Sequence, residues 1–242
     1  GHFVGYVPTS LLKEKEVNQH LGVVIDKLQQ RLFVFQDGRL LSTLLCSTGF
    51  PSEDAPWNET PAGEFLVISR TGGFWSGELY CDMGLRINDG ILLHEVPCLI
   101  NPEDESRDYS RCERYLGEKA SHGCIRIQRK LTPEGVNMQW LWDNLKVGCK
   151  VIIWDEIGRE LTFPEDAVTL YYNPDNGRQY HSSPTCLAVK SEYWPLTPFT
   201  WGELEDEPYA SLDPCPACAP QPRLEKILEM NEKNTRTEER GW

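Results

Sequence analysis

The sequence predicts a mostly β protein with one main helix, followed by a small irregular C-terminal domain. Three observations predict it. Apolar runs of strand length recur between residues 21 and 155, separated by turn signals such as Asp37-Gly38 and Asn88-Asp89-Gly90. One stretch in that span, after Thr132-Pro133, carries apolar residues at helical spacing. From residue 156 the composition shifts to Pro, Tyr, Trp and Cys with little periodicity.

The elements follow in order. Residues 1–20 form a polar N-terminal extension. The stretch "GVVIDKLQQRLFVFQDGRLLSTLLCSTG" holds runs at 22–26, 31–36 and 39–47, the last two joined by Asp37-Gly38 as a two-residue hairpin. "NETPAGEFLVISR" is a turn leading into a strand near 64–70. "LYCDMGLRINDGILLHEV" gives two short strands, with His94 at the end of the second. Residues 97–120 are polar, charged and Pro-containing, and are expected to be an inserted lid loop. "SHGCIRIQ" alternates Cys124, Arg126 and Gln128 with Gly123, Ile125 and Ile127, as a strand does. Thr132 before Pro133 is expected to cap the helix, with Val136, Trp140, Leu141 and Leu145 on its apolar face. "GCKVIIWD" closes the unit as a buried-type strand. Residues 156–222 form a small Cys/His module that opens on a Pro-Asp-Asn-Gly hairpin, and 223–242 a charged helix and tail.

Composition narrows the function classes. A net charge of −13 excludes the clustered cationic surface that phosphate-backbone or anionic-membrane binding needs, the one basic patch being Arg126, Arg129 and Lys130. No apolar run approaches the ~20 residues of a membrane span. The opening "GHFVGYVPTS" shows no signal peptide and reads as a trimmed start from which an export signal could have been removed, so its absence says little about compartment. Nine cysteines include the spacing Cys215-x2-Cys218, which belongs to metal or redox chemistry.

Cys124 is the candidate nucleophile. A buried free cysteine is the competing reading. Three features favour chemistry: Gly123 beside it, which lets a substrate backbone approach; polar residues on its own face; and His94 at the end of a nearby strand. A thiol attacks as thiolate and needs a base. Residues i and i+2 of a strand stand roughly 6.6 Å apart, so His122 is poorly placed to take the Cys124 proton. A residue across an adjacent strand has its Cβ only ~4.5–5.5 Å away, which favours His94. His122 would then orient substrate. The backbone N–H groups of Gly123 and Cys124 would serve as oxyanion donors. Arg126, on the Cys124 face, would bind a substrate carboxylate with two parallel hydrogen bonds, with Ser121 beside it; a structural ion pair is the alternative for Arg126, and local hydrogen bonding the alternative for Ser121.

The order "HEVP…KASHGCIRIQ" resembles the signature of the L,D-transpeptidases of the YkuD type. The opening hairpin, "TPAGEF" at 60–65, and "LTPEGVNMQWLWDNLKVGCKVIIWD" are similar to that family's flanking elements, so the resemblance covers about residues 21–155. It implies a β-sandwich-like fold, a cysteine acyl-enzyme, His94 as base, and peptidoglycan stem peptides as substrate outside the cytoplasm. It further implies transfer to an amine acceptor in cell-wall cross-linking, no cofactor for catalysis, and carbapenem-type β-lactams as inhibitors. A hydrolase on the same scaffold (an L,D-carboxypeptidase) and a non-catalytic wall- or partner-binding protein are the rivals. The 26 residues between His94 and Ser121 exceed the family's usual spacer.

In the C-terminal module, His181-x4-Cys186 and Cys215-x2-Cys218 are ligand-pair spacings that suit a structural zinc ion. A Cys215–Cys218 or Cys186–Cys215 disulfide is the alternative. A redox site is disfavoured because no strand–helix context precedes the pair.

Overall fold

The computed structural model of the chain describes residues 5–239. Residues 1–4 of the predicted N-terminal extension and 240–242 of the predicted tail lie outside the described residues.

Residues 21–154 build one nine-stranded sheet. Its strands are β1 (Leu21–Asp26), β2 (Arg31–Gln36), β3 (Arg39–Ser47), β4 (Gly63–Leu66), β5 (Ser69–Ser76), β6 (Leu79–Arg86), β7 (Leu92–Glu95), and then, past the short ribbon β8 (Leu99–Ile100) with β9 (Arg107–Asp108), β10 (Ile125–Ile127) and β11 (Lys150–Trp154). The spatial order is β4-β11-β1-β2-β3-β10-β7-β6-β5. Asp37 and Gly38 both take positive φ (50° and 76°), the backbone a tight hairpin between β2 and β3 requires. Bulges in β2–β3 and β5–β6 bend the sheet. Val23 and Val151 from one half and Leu85, Leu93 and Ile125 from the other share a single buried core, so the sheet folds over on itself. This is the predicted sandwich-like, mostly β class.

One main helix covers that core, and it starts later than expected. Gly135 at φ +78° turns the chain, and the Thr132 N–H donates to the Val136 carbonyl, so Thr132–Val136 is a turn and no helical cap. Helix α2 runs Met138–Asn144, capped by Asn137, whose side chain accepts from the Trp140 N–H at 3.0 Å. Met138, Leu141 and the following Leu145 are fully buried.

The segment 97–120 is more ordered than a loop. It pairs β8 with β9 and adds a helical turn α1 (Ser110–Glu113). Arg107 bonds Asp82 at 2.9 Å, Arg111 pairs with Glu78, and the Tyr109 hydroxyl donates to Glu95 at 3.1 Å. Part of its length has a topological cause. β7 and β10 are parallel neighbours, and parallel strands need a crossover connection of a dozen or more residues.

The C-terminal module also carries regular structure that its sequence hides. β12 (Thr169–Tyr172), β13 (Gln179–His181), β14 (Thr197–Thr200) and β15 (Asp213–Pro214) form a sheet in the order β14-β12-β13-β15. Leu170, Tyr180, Phe199, Leu204 and Leu212 make its small core, with Phe199 stacked on Tyr209 at 4.1 Å. Helix α3 (Leu224–Glu239) straps the connector: Asn231 accepts from the Leu161 N–H, and Asn234 donates to the Glu156 and Arg159 carbonyls. A cleft of about 1350 Å³ separates the module from the sheet, lined among others by Arg31, Glu118, Arg159 and Arg223. Cys124, His94 and Arg126 do not line it.

Candidate functional site

Of the nine cysteines, eight are buried and Cys124 alone is half-exposed. Burial pushes its thiol up. The Leu92 N–H and the Arg126 and Arg86 charges facing it pull the other way without reversing the direction. The resting group is therefore a thiol, whose Sγ contacts the Gly90 carbonyl at 3.6 Å. Burial raises Cys81, a near neighbour, to about 12, which removes it as a competing nucleophile.

The strand register decides what faces Cys124. β10 pairs with β7 so that Ile125 meets Leu93 and Arg126 meets His94. One step back, Cys124 falls beside Leu92. His94 is thus on the adjacent strand, as the sequence argument required, but one diagonal step from Cys124 and not directly across. Same-face diagonal neighbours stand ~7–8 Å apart along their backbones, a gap that an imidazole and a thiol leaning together can close. Leu93, Ile125 and Ile127 take the opposite, core face.

His94 is 2% exposed, and its ring packs edge-on against Phe74 at 5.4 Å. Its Nδ1 lies 2.6 Å from the Glu95 carbonyl oxygen, which can only accept, so Nδ1 carries the proton and Nε2 presents a free lone pair. Burial holds the imidazole at about 4, the Glu95 carbonyl opposing and the Arg126 charge reinforcing that shift. At neutral pH His94 is an uncharged base.

Arg126 is 8% exposed and forms no ion pair with a carboxylate among the described residues. Its charge is felt by Cys124, His94 and Cys81. A buried, unneutralised guanidinium beside a thiol is an anion receptor.

Two expectations for the loop before β10 need correction. The Gly123 N–H already donates to the Ser121 Oγ at 3.1 Å, so it is not a free oxyanion donor. The neighbouring Cys124 N–H remains the candidate donor. Ser121 is buried with its hydroxyl bonded to the Cys124 carbonyl, so it shapes the loop and does not face substrate. Gly123 sits at φ +115°, a conformation other residues rarely adopt, and a Cβ there would come within 3.1 Å of the Ile91 Cδ1. His122 is exposed to solvent at the loop's outer side.

Sequence reasoning missed the groups that hold this loop. Thr60, fully buried, donates its hydroxyl to the Gly123 carbonyl at 2.7 Å and accepts from the Gly49 N–H at 2.8 Å. "TPAGEF" flagged the turn but not this clamp. Next to it, the Lys27 ammonium contacts Glu59 (2.6 Å), Asp155 (2.9 Å) and Glu156 (2.9 Å), and Lys119 pairs with Glu156. Burial alone would push Lys27 down. The Glu156 and Glu59 carboxylates more than reverse that and leave it raised. The network ties residue 59, before the clamp, to residue 119, before the nucleophile loop. Arg86 and Gly90, also unflagged, complete the cradle around the thiol.

His181, Cys186, Cys215 and Cys218 come together in the C-terminal module, all four buried, with their ligand atoms within 4.8 Å of one another.

Comparisons with known proteins point to one family. The family model for the L,D-transpeptidase catalytic domain (YkuD) matches residues 21–153. YciB of Bacillus subtilis (strain 168) is 25% identical over 140 residues, covering 56% of this chain and 66% of that protein. Among solved structures, an L,D-transpeptidase from Mycobacterium smegmatis is 20% identical with a TM-score of 0.41, over 56% of this chain and 59% of that one. L,D-transpeptidase 3 from Mycobacterium tuberculosis in complex with a faropenem-derived adduct gives 20% and 0.41, over 56% and 60%. The chain therefore spans less than two thirds of the length of these relatives. Among the described residues no helix is long and apolar enough to cross a membrane. The family model covers more than half of the chain, and its span contains the thiol, the neutral imidazole and the guanidinium just described: the chain belongs to the L,D-transpeptidase catalytic-domain family.

Proposed function

We propose that this chain is a peptidoglycan L,D-transpeptidase working outside the cytoplasm, with Cys124 as its nucleophile. One observation supports the proposal: the single half-exposed thiol shares a sheet face with an uncharged imidazole one diagonal step away on the adjacent strand and with a buried guanidinium without a carboxylate partner among the described residues. The Cys124 Sγ attacks the carbonyl of the donor stem peptide while the His94 Nε2 takes the thiol proton. The Cys124 N–H stabilises the oxyanion. Collapse breaks the peptide bond, and the imidazolium returns the proton to the departing amine, leaving a thioester. An acceptor amine attacks that thioester, gives its proton to His94, and frees the thiol. No step requires a metal. Arg126 would hold a donor carboxylate.

Intact mass after exposure to a carbapenem tests the nucleophile. One covalent adduct is expected on the wild type and none on Cys124→Ala. An adduct that survives in Cys124→Ala would reject the assignment. Stem peptides then separate transfer from hydrolysis: cross-linked product is expected, and release of the terminal D-residue without cross-links would replace the transferase by the carboxypeptidase.

Arg126 has its own test. Arg126→Gln is expected to raise KM for a carboxylate-bearing donor by about tenfold or more, the scale of a lost charged hydrogen bond. Donors with that carboxylate amidated should show little difference between variant and wild type. Equal losses on both donors would make Arg126 a structural residue.

A further inference from the structure

The transferase chemistry leaves the quartet in the C-terminal module unused, and its geometry is specific. Cys186 Sγ and Cys215 Sγ lie 3.9 Å apart, and Cys218 Sγ lies 3.7 Å from the His181 Nδ1. A tetrahedral zinc ion with Zn–S ~2.3 Å and Zn–N ~2.05 Å sets its ligand atoms ~3.8 Å (S to S) and ~3.6 Å (S to N) apart. A disulfide needs ~2.05 Å, so these sulfurs stand at coordination spacing and not at bonding distance. All four residues are buried, in a module whose own apolar core is five side chains. Buried polar ligands packed together, in a domain with so small a core, are the setting where a metal supplies folding free energy.

Backbone groups already support a coordinated state. The Ser182 N–H points at Cys218 Sγ at 3.3 Å, the orientation that stabilises a thiolate, and the Ser182 hydroxyl bonds the Cys218 carbonyl at 2.7 Å. The Ala219 N–H bonds the Cys215 carbonyl at 3.0 Å, closing the Cys215–Cys218 knuckle. The Trp194 indole donates to the Cys186 carbonyl at 3.2 Å.

The knuckle is also fastened to the sheet. Gln128, the residue just after β10, donates to the Ala217 carbonyl at 3.1 Å while its Oε1 accepts from the Leu45 N–H. Arg31 on β2 donates to the Ala219 carbonyl at 2.7 Å and the Pro220 carbonyl at 3.0 Å. The carbonyls on either side of ligand Cys218 are thus held by the sheet, one of them by a residue four positions from Cys124.

We propose that His181, Cys186, Cys215 and Cys218 bind one zinc ion. This ion fixes the knuckle that Gln128 and Arg31 grip, and so ties the C-terminal module to the strand bearing the nucleophile. Binding deprotonates the three thiols, and with a neutral His181 the centre carries one net negative charge. With four protein ligands it is closed and structural, with no position left for a substrate.

Elemental analysis of the full chain purified without chelator is expected to give one zinc per chain. Cobalt substitution should give the intense visible bands of a tetrahedral thiolate site. Cys215→Ser with Cys218→Ser should lose the metal. Because loss of the fold would also lose the metal, wild type stripped with a chelator and then reloaded provides the second measure. Stripping should speed hydrogen exchange at residues 217–220 and at 125–128, and reloading should reverse it. Gln128→Leu should keep the zinc yet lose protection at 217–220. Absence of bound zinc together with a mass two hydrogens lighter would replace the site by a disulfide. Zinc present with no change at 125–128 on stripping would overturn the tie to the nucleophile strand. Neither readout depends on acylation of Cys124, so they stand apart from the fate of the transferase proposal.

Discussion

Replacing His94 with Gln is expected to slow adduct formation at Cys124 by about 10²–10⁴, the usual contribution of a positioned base. The size follows from the protonation states. Burial keeps the Cys124 thiol raised and His94 near 4, so a preformed thiolate–imidazolium pair is disfavoured on both sides. The proton must move as the carbonyl is attacked, and Nε2 of His94 is the acceptor its tautomer leaves free. The pH dependence follows with a definite sign. Unfolded histidine titrates near 6.5 and His94 at about 4. Between those values the unfolded chain binds a proton that the folded one refuses, so stability is full above 6.5 and is lost as pH falls toward 4. The shift, 6.5 − 4 = 2.5 units, corresponds to about 3 kcal/mol in a group this buried. Urea midpoints at pH 7 and pH 5 should therefore drop further in wild type than in His94→Gln. The acid limb of the acylation rate should fall near pH 4. A limb centred at 6.5, or a variant acylating within a few-fold of wild type, would remove His94 from the base role.

The two ends of this argument differ in how far they are written in the chain. The strands around Asp37-Gly38 were legible because alternation and a positive-φ turn are local properties, and β1 to β3 lie within a residue or two of the predicted runs. The candidate nucleophile stood out because a thiol on a polar strand face, next to glycine, does not fit a core position. Register was not legible. Nothing local says that Arg126 meets His94, which moved the base from opposite Cys124 to a diagonal position. The long spacer after His94 looked like an obstacle; about a dozen of its residues are the crossover that parallel β7 and β10 require. The helix start was misplaced because Gly135, an ordinary residue on paper, takes φ +78° and closes a turn ahead of Asn137. Ser121 and Gly123 looked available because their partners, including each other, appear only after the loop has folded. Thr60 and Gly49 were invisible for the same reason: their roles are contacts across 63 and 11 residues.

Gly49 is where the largest single loss of stability is expected. A Cβ at this position would fall 1.9 Å from the Asn58 carbonyl oxygen and 2.9 Å from the Thr60 amide nitrogen. Both are backbone atoms and cannot rotate away. Gly49 is also bridged to Ser121, and Phe50 donates to the Ser121 carbonyl at 2.9 Å, so the chain cannot retreat on the other side. The methyl must therefore push residues 58–60 outward. That movement breaks the Gly49–Thr60–Gly123 clamp and strands buried donors and acceptors that cost about 1–3 kcal/mol each when unpaired. Gly49→Ala is expected to lose about 4 kcal/mol or more, seen as a fall in Tm of roughly 8 °C or more. Gly90 supplies the control. Its carbonyl touches the Cys124 sulfur, yet nothing lies within 4 Å of a Cβ there and its φ is not positive. Gly90→Ala should stay within about 0.5 kcal/mol of wild type. Thr60→Val then separates clamp from sterics: it keeps the volume, loses both hydroxyl bonds, and should slow Cys124 acylation, with Thr60→Ser restoring it. A Gly49→Ala protein melting with wild type would mean that the nucleophile loop is not seated on residues 58–60, and the clamp would fall with it.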